Sequence, residues 1–230
     1  SFSNPKIQKS NKVYQDYLTA ILHLHPISTK ICPYQDIAGC KEACLNTAGR
    51  GGIMKKGETT NVIQEARKRK TKLYLEARDI FMSYLVTDIT KFVNYCKKKD
   101  KLPCLRLNGT SDIQWETIKI DDKNIFEMFP DVQFYDYTKI PTRKVDKHSN
   151  YHLTWSYSEA NKKYSEYFKT IDYNIAVVFS GDMPIYFKGR EVVNGDETDM
   201  RFFDKPNVVV GLKAKGKAKQ DSSGFVIHTI

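Results

Sequence analysis

Residues 92–109, FVNYCKKKDKLPCLRLNG, contain the change of rhythm that decides the fold. Upstream, apolar residues recur at helical spacing, at Leu73, Ala77, Ile80, Phe81, Tyr84, Leu85, Ile89, Phe92 and Val93. Downstream they collapse into a short run, LPCLRL, that stops at Asn108-Gly109. That run has the length of a strand and ends in turn residues. The same kind of unit returns in VQFYDYT (132–138), YHLTWSYS (151–158), NIAVVFSG (174–181) and NVVVGLKAKG (207–216). YLTAILHLHP (17–26) fits a buried strand that ends at Pro26. Helix-compatible pieces, DDKNIFEMF (121–129) and SEANKKYSEYF (158–168), lie between the strands. Residues 60–99 read as one long helix or two consecutive ones, with Thr60 or Asn61 as N-cap.

Strand, polar loop, helix, strand is an α/β pattern with mostly parallel strands. Six strands fall short of the eight of a closed barrel. An incomplete or distorted (β/α) barrel is the first expectation, and an open doubly wound sheet the other. No linker or internal repeat divides the chain. Residues 1–230 read as one catalytic domain with a Cys-rich loop at about 30–52.

The chain carries 37 Lys+Arg against 27 Asp+Glu, a net charge of +10. The basic residues cluster in RKRKTK (67–72), KKKDK (97–101), PTRKVDK (141–147) and KAKGKAK (213–219). Clustered excess charge favours a polyanion such as nucleic acid, although a basic surface also serves solubility alone. No apolar run reaches the ~20 residues of a membrane helix, and the first residues have no signal-peptide core. An intracellular protein with reduced thiols is expected.

Three of the five cysteines, Cys32, Cys40 and Cys44, stand in KICPYQDIAGCKEACLNTAGRGG (30–52) with C-x7-C-x3-C spacing. A helical turn over 40–49, closed by Gly49, would point Cys40 and Cys44 the same way. Three thiolates suit a four-iron cluster with one open iron, or zinc with a fourth ligand. Cys96, Cys104, His23 and His25 are candidates for that fourth place. A metal-free thiol cluster is the other reading.

Two further stretches sit at expected strand ends, where α/β enzymes place their chemistry. In RLNGTSDIQWE (106–116), Gly109 admits a close ligand, and Asn108, Thr110 and Asp112 offer polar groups. Trp115 beside Glu116 could hold a planar base. An ordinary Asn-Gly turn explains the same residues. In FPDVQFYDYTKIPTRK (129–144), Asp136 lies among Tyr135, Lys139 and Arg143. Asp112 and Asp136 could form a general base and a nucleophile, or each could be a structural aspartate. Lys213, Lys215 and Lys217 could bind phosphate. The acidic VVNGDETDMRFFD (192–204) has no recognised cation-loop spacing.

The wording CPY…GC…ACLNTAGRG…RLNGTSDI…FYDYTK…VVNGDETDMRF…VGLKAKGKAK resembles an uncharacterised tailed-phage family, gene product eighty-eight, over nearly the whole chain. That resemblance implies a phage protein in the host cytoplasm, acting on nucleic acid. Two looser resemblances suggest chemistry. The placing of cysteines after the first expected strand, with NGTSD after the next, resembles radical-SAM barrels, although the cysteine spacing departs from theirs. The pairing of two strand-end aspartates with FYDYTKIPTR resembles guanine and 7-deazaguanine transglycosylases, with a different aspartate-to-proline spacing.

The expected function is base modification of nucleic acid, DNA before RNA, with base exchange first. Asp136 would attack the sugar C1′ and Asp112 would shuttle the proton. Asn108 would read the base edge, Tyr135 or Trp115 would stack on it, and a duplex base would be flipped out. Radical chemistry at Cys32, Cys40 and Cys44, with S-adenosylmethionine, is the next reading. A non-enzymatic nucleic-acid-binding protein with a structural metal is the third.

Overall fold

All six expected strand segments are strands in the computed structural model, which describes residues 5–229. Helix α1 (Pro5–Val13) precedes β1 (Tyr17–Ile21). A long loop with short 3-10 turns follows. Then come α2 (Val62–Glu76) and α3 (Arg78–Lys98). The break between these helices is at Ala77 (φ −143°, ψ 64°). Asn61 caps α2 by accepting from the Ile63 and Gln64 N–H groups. Strand β2 (Leu102–Arg106) leads to a small hairpin, β3 (Lys119–Ile120) and β4 (Lys123–Asn124), and to α4 (Ile125–Met128). Strands β5 (Gln133–Thr138) and β6 (Tyr151–Ser156), helix α5 (Lys162–Glu166) and β7 (Ile175–Phe179) come next. The chain ends with β8 (Tyr186–Phe187), β9 (Arg190–Asn194), β10 (Val209–Lys213) and β11 (Val226–Ile227).

The main sheet has the order β1-β2-β5-β6-β7-β10-β9-β8, with β11 also on β7. Every pairing in it is parallel except that of β8 with β9. β6 pairs with the first half of β7, at Ile175 and Ala176, and β11 with the last half, at Val178 and Phe179. Among the described residues the sheet is open, with β1 at one edge and β8 at the other. The expectation is met at the level of a single-domain α/β protein with a mostly parallel sheet. No closed barrel forms among the described residues.

Side chains alternate across the strands, so the sheet has two different faces. Leu105, Phe134, Leu153, Trp155, Ile175 and Val177 lie on the helix-covered face. Phe81, Met82, Leu85, Ile89 and Phe92 of α3 pack against the first part of it. This is why buried parallel strands read as nearly continuous apolar runs. The opposite face carries Thr19, Cys104, Arg106, Tyr135, His152 and Thr154. It is covered by α1 and residues 198–204: the Asp199 N–H donates to Ser10 Oγ at 2.8 Å, and Tyr14 stacks on Phe203. No helix among the described residues is long and apolar enough to cross a membrane.

Candidate functional site at the carboxyl edge of the sheet

The loop after β2 is a hydrogen-bonded frame. Asn108 Oδ1 accepts from Ser111 Oγ at 2.9 Å, the Ile113 N–H at 3.0 Å and Trp115 Nε1 at 3.1 Å. Its Nδ2 donates to the Ile113 carbonyl at 3.0 Å and to Asp136 Oδ2 at 3.3 Å. The Gly109 N–H donates to the Leu22 carbonyl, and a Cβ there would stand 2.7 Å from that oxygen. Glycine is required here by the close approach of the segment leaving β1. Thr110 Oγ1 donates to the Leu24 carbonyl, and the Asp112 N–H to that of Ile31.

The two aspartates lie in one network. Asp112 accepts from Thr138 Oγ1 (2.8 Å), the Lys139 N–H (2.7 Å) and Arg143 Nη1 (3.3 Å). Asp136 accepts from the Asn108 N–H (2.7 Å) and from Tyr151 OH (3.2 Å). Arg143 Nη2 donates to Tyr151 OH, so Arg143 and Tyr151 connect the two carboxylates. Arg143 also forks onto Glu116 at 2.8 and 2.7 Å. Burial pushes Asp136 up to about 7, against Arg106, Arg143 and its hydrogen bonds. Burial also raises Asp112, opposed first by Arg143.

The structure brings Asn108, Asp112, Asp136, Lys139 and Arg143 together but separates the aromatics. Trp115 is 0% exposed, against Tyr74 and Phe81 of the helical layer. Tyr135 is also 0% exposed, on the sheet face away from Asp136, and its hydroxyl donates to Asp199. Neither ring offers a face at the edge. Lys215 pairs with Asp196 at 2.5 Å, while Lys213 and Lys217 are exposed.

Cys32, Cys40 and Cys44 are free and half-buried in the loop between β1 and α2. The helical turn expected over 40–49 is replaced by irregular turns and a 3-10 turn at Leu45–Thr47, capped by Cys44 Sγ on the Asn46 N–H. Burial raises all three thiols, and Cys32 also feels Asp112, Cys44 and Cys40. Lys139 opposes the rise at Cys40, and Arg67 opposes it at Cys44. Lys139 Nζ donates to the Ser156 and Tyr157 carbonyls and lies 4.2 Å from the Phe225 ring centre. Burial brings its own value down to about 8, with Cys40 and Asp112 opposing. The donor chemistry suits a thiolate-bound metal. Among the described residues, however, no three His, Cys, Asp or Glu side chains are grouped so that they could hold an ion.

The match that places the sequence spans residues 1–229 and is to Gene product 88. The chain belongs to this phage gene-product family. No curated protein and no solved structure matches it.

In this Gene product 88 protein, sequence reasoning missed the polar side of the sheet. Arg106 Nη1 is 3.2 Å from Asp199 Oδ2, and its guanidinium lies over Tyr137 at 4.6 Å. Asp199 also accepts from the Tyr135 and Tyr137 hydroxyls. Buried His23 Nδ1, His152 Nε2, Thr154 Oγ1 and Arg201 Nε have no hydrogen-bond partner among the described residues. The only sequence signal for this face was the alternation of Cys104 with Arg106 and of Tyr135 with Tyr137.

Proposed function

We propose that the chain is an iron–sulfur enzyme of the radical-SAM kind that acts on nucleic acid. Cys32, Cys40 and Cys44 would hold the cluster only after their loop draws them together, because among the described residues they are not grouped to hold an ion. The observation that carries this reading is topological. β1, β2, β5, β6, β7 and β10 cross the sheet in chain order, all parallel, and the three thiols sit on the loop that leaves the first of them. A parallel sheet built up in one direction is an arrangement an incomplete barrel would share, and the carboxyl edge is where such α/β sheets place chemistry.

Soft thiolates select iron–sulfur clusters or zinc. A four-iron cluster on three thiolates leaves one iron open and supplies one-electron chemistry, with S-adenosylmethionine as the implied co-substrate. The chain's own residues supply the setting. Lys139, held by two carbonyls, and Arg67 place positive charge near Cys40 and Cys44. The Asn108–Asp136–Tyr151–Arg143–Asp112 network makes the edge rigid. The net charge of +10 supports a polyanionic target, DNA before RNA.

Base exchange has less support. Asp112 and Asp136 are 6% and 1% exposed and both carboxylates are held by internal hydrogen bonds, whereas a nucleophile needs an open approach to its target.

Anaerobic purification with iron, sulfide and zinc analysis tests the proposal. The expected protein is brown, absorbs near ~400 nm and holds about four irons per chain. A colourless protein with zinc, or with no metal, overturns it.

A further inference from the structure

The run KAKGKAK (213–219) is two interleaved patterns. Its alanines are anchors. Ala214 and Ala218 are 7% and 3% exposed and pack with Ala43 and Val226. Ala43 belongs to the thiol loop, next to Cys44. Gly216, at φ +58°, comes so close to that loop that an added Cβ would lie 3.3 Å from Ala48 Cβ. Residues 216–220 form a 3-10 turn seated on the turn at 45–47.

The lysines between these anchors point outward, and Lys213, Lys215, Lys217 and Lys219 are all exposed. Lys215 is fixed to Asp196, which also accepts from the Lys213 N–H. Lys213, Lys217 and Lys219 make no ion pair among the described residues. Exposed Arg50, Lys55 and Lys56 continue from the same loop. Asn61 Nδ2 pins that stretch by donating to the Arg50, Gly51 and Ile53 carbonyls. The turn at 216–220 and the turns at 45–52, more than 160 residues apart in sequence, thus lie together beside Ala43, next to Cys44.

We infer that Lys213, Lys217 and Lys219, with Arg50, Lys55 and Lys56, form one docking rail for the phosphate backbone of a DNA strand, beside the thiol loop. This rests on the nucleic-acid part of the function proposed above. Ammonium groups read phosphate without reading sequence, so the rail positions a strand and leaves base choice to other residues. Chemistry on a base needs that base out of the duplex, so a single strand is the form that suits the edge.

The test is fluorescence anisotropy with a single-stranded DNA of about 20 nucleotides, longer than one groove-binding site. The rail variant carries Lys213→Gln, Lys217→Gln and Lys219→Gln. A control of equal charge carries Lys97→Gln, Lys98→Gln and Lys99→Gln, where α3 ends at the opposite edge of the sheet. The rail variant should flatten the plot of log affinity against log salt by about 2, from ~0.7 per lost phosphate contact. It should also bind about tenfold or more weakly at low salt, while the control stays near wild type. Equal losses in both variants, or a rail variant that binds like wild type, would overturn the rail. So would competition by polyglutamate as strong as that by unlabelled DNA. Wild type that fails to bind DNA at low salt would overturn the rail together with the nucleic-acid target, leaving the iron content as a separate result.

Discussion

Asn108 and Asp136, at the ends of neighbouring strands, hold each other twice. The Asn108 N–H donates to Asp136 Oδ1 at 2.7 Å, and Asn108 Nδ2 donates to Oδ2 at 3.3 Å. Both are almost fully buried. Asn108→Ala would leave the Trp115 indole N–H, the Ile113 N–H and the Ser111 hydroxyl without their acceptor. Unmade buried hydrogen bonds cost about 1–3 kcal/mol each. The expected loss is at least ~3 kcal/mol, read from urea unfolding. A loss below ~1 kcal/mol would show that water reaches these groups.

Asp136 also sets a pH dependence. Its native value is raised to about 7 by burial, above the ~3.9 of an unfolded aspartate. Between those values the native state keeps a proton that the unfolded state has lost. The contribution of Asp136 to stability is therefore full below ~4, falls as pH rises, and is lost above ~7. The slope is about 1.4 kcal/mol per pH unit inside that window. Asp136→Asn has no such proton, so its stability deficit relative to wild type should shrink from pH 4 to pH 7. A deficit that grows with pH would mean that the charged form is the one held.

Arg143 tests how the edge is supported. Its guanidinium is buried and serves Glu116, Asp112 and Tyr151 at once. Lysine keeps the charge but not the planar fork. Arg143→Lys should cost about 3 kcal/mol or more, since it leaves a buried carboxylate poorly paired. Thermal unfolding by circular dichroism measures this. A shift of only a degree or two would remove the network from the fold's supports.

The strands were legible because their signal is local. Leu105 and Leu107 flank Arg106, and Phe134 lies two before Asp136, so each apolar face could be read from spacing alone. The β8–β9 hairpin was not read, because β9 is half-exposed and has no apolar run. The site was legible only in part. Asn108, Asp112, Asp136 and Arg143 do converge, but their hydrogen bonds to one another depend on tertiary contact. Trp115 stood beside Glu116 in the sequence, yet Tyr74 and Phe81, some 40 residues upstream, cover its ring. Tyr135 is adjacent to Asp136, and adjacency on a strand puts the two on opposite faces. The partner of Arg106 is Asp199, 93 residues away, where no periodicity could find it.

The thiols give the last prediction. Cys32, Cys40 and Cys44 share one loop, whereas Cys96 and Cys104 are fully buried in α3 and β2. If the loop thiols ligate a cluster, Cys40→Ser should remove most of the iron, and Cys96→Ala should keep it. Lost iron alone would not prove ligation, because any destabilised loop could lose metal. The sharper comparison uses stability. Metal binding adds folding free energy, so Cys40→Ser should lower the unfolding temperature of the protein as isolated under anaerobic conditions. After chelation of the wild type the two proteins have the same metal-free state, and the difference should nearly vanish, since serine is close to isosteric with a neutral thiol. A deficit that persists undiminished after chelation would make Cys40 a packing residue. In that case Lys139 would be a buried cation held by two carbonyls and the Phe225 ring, with no thiolate to balance.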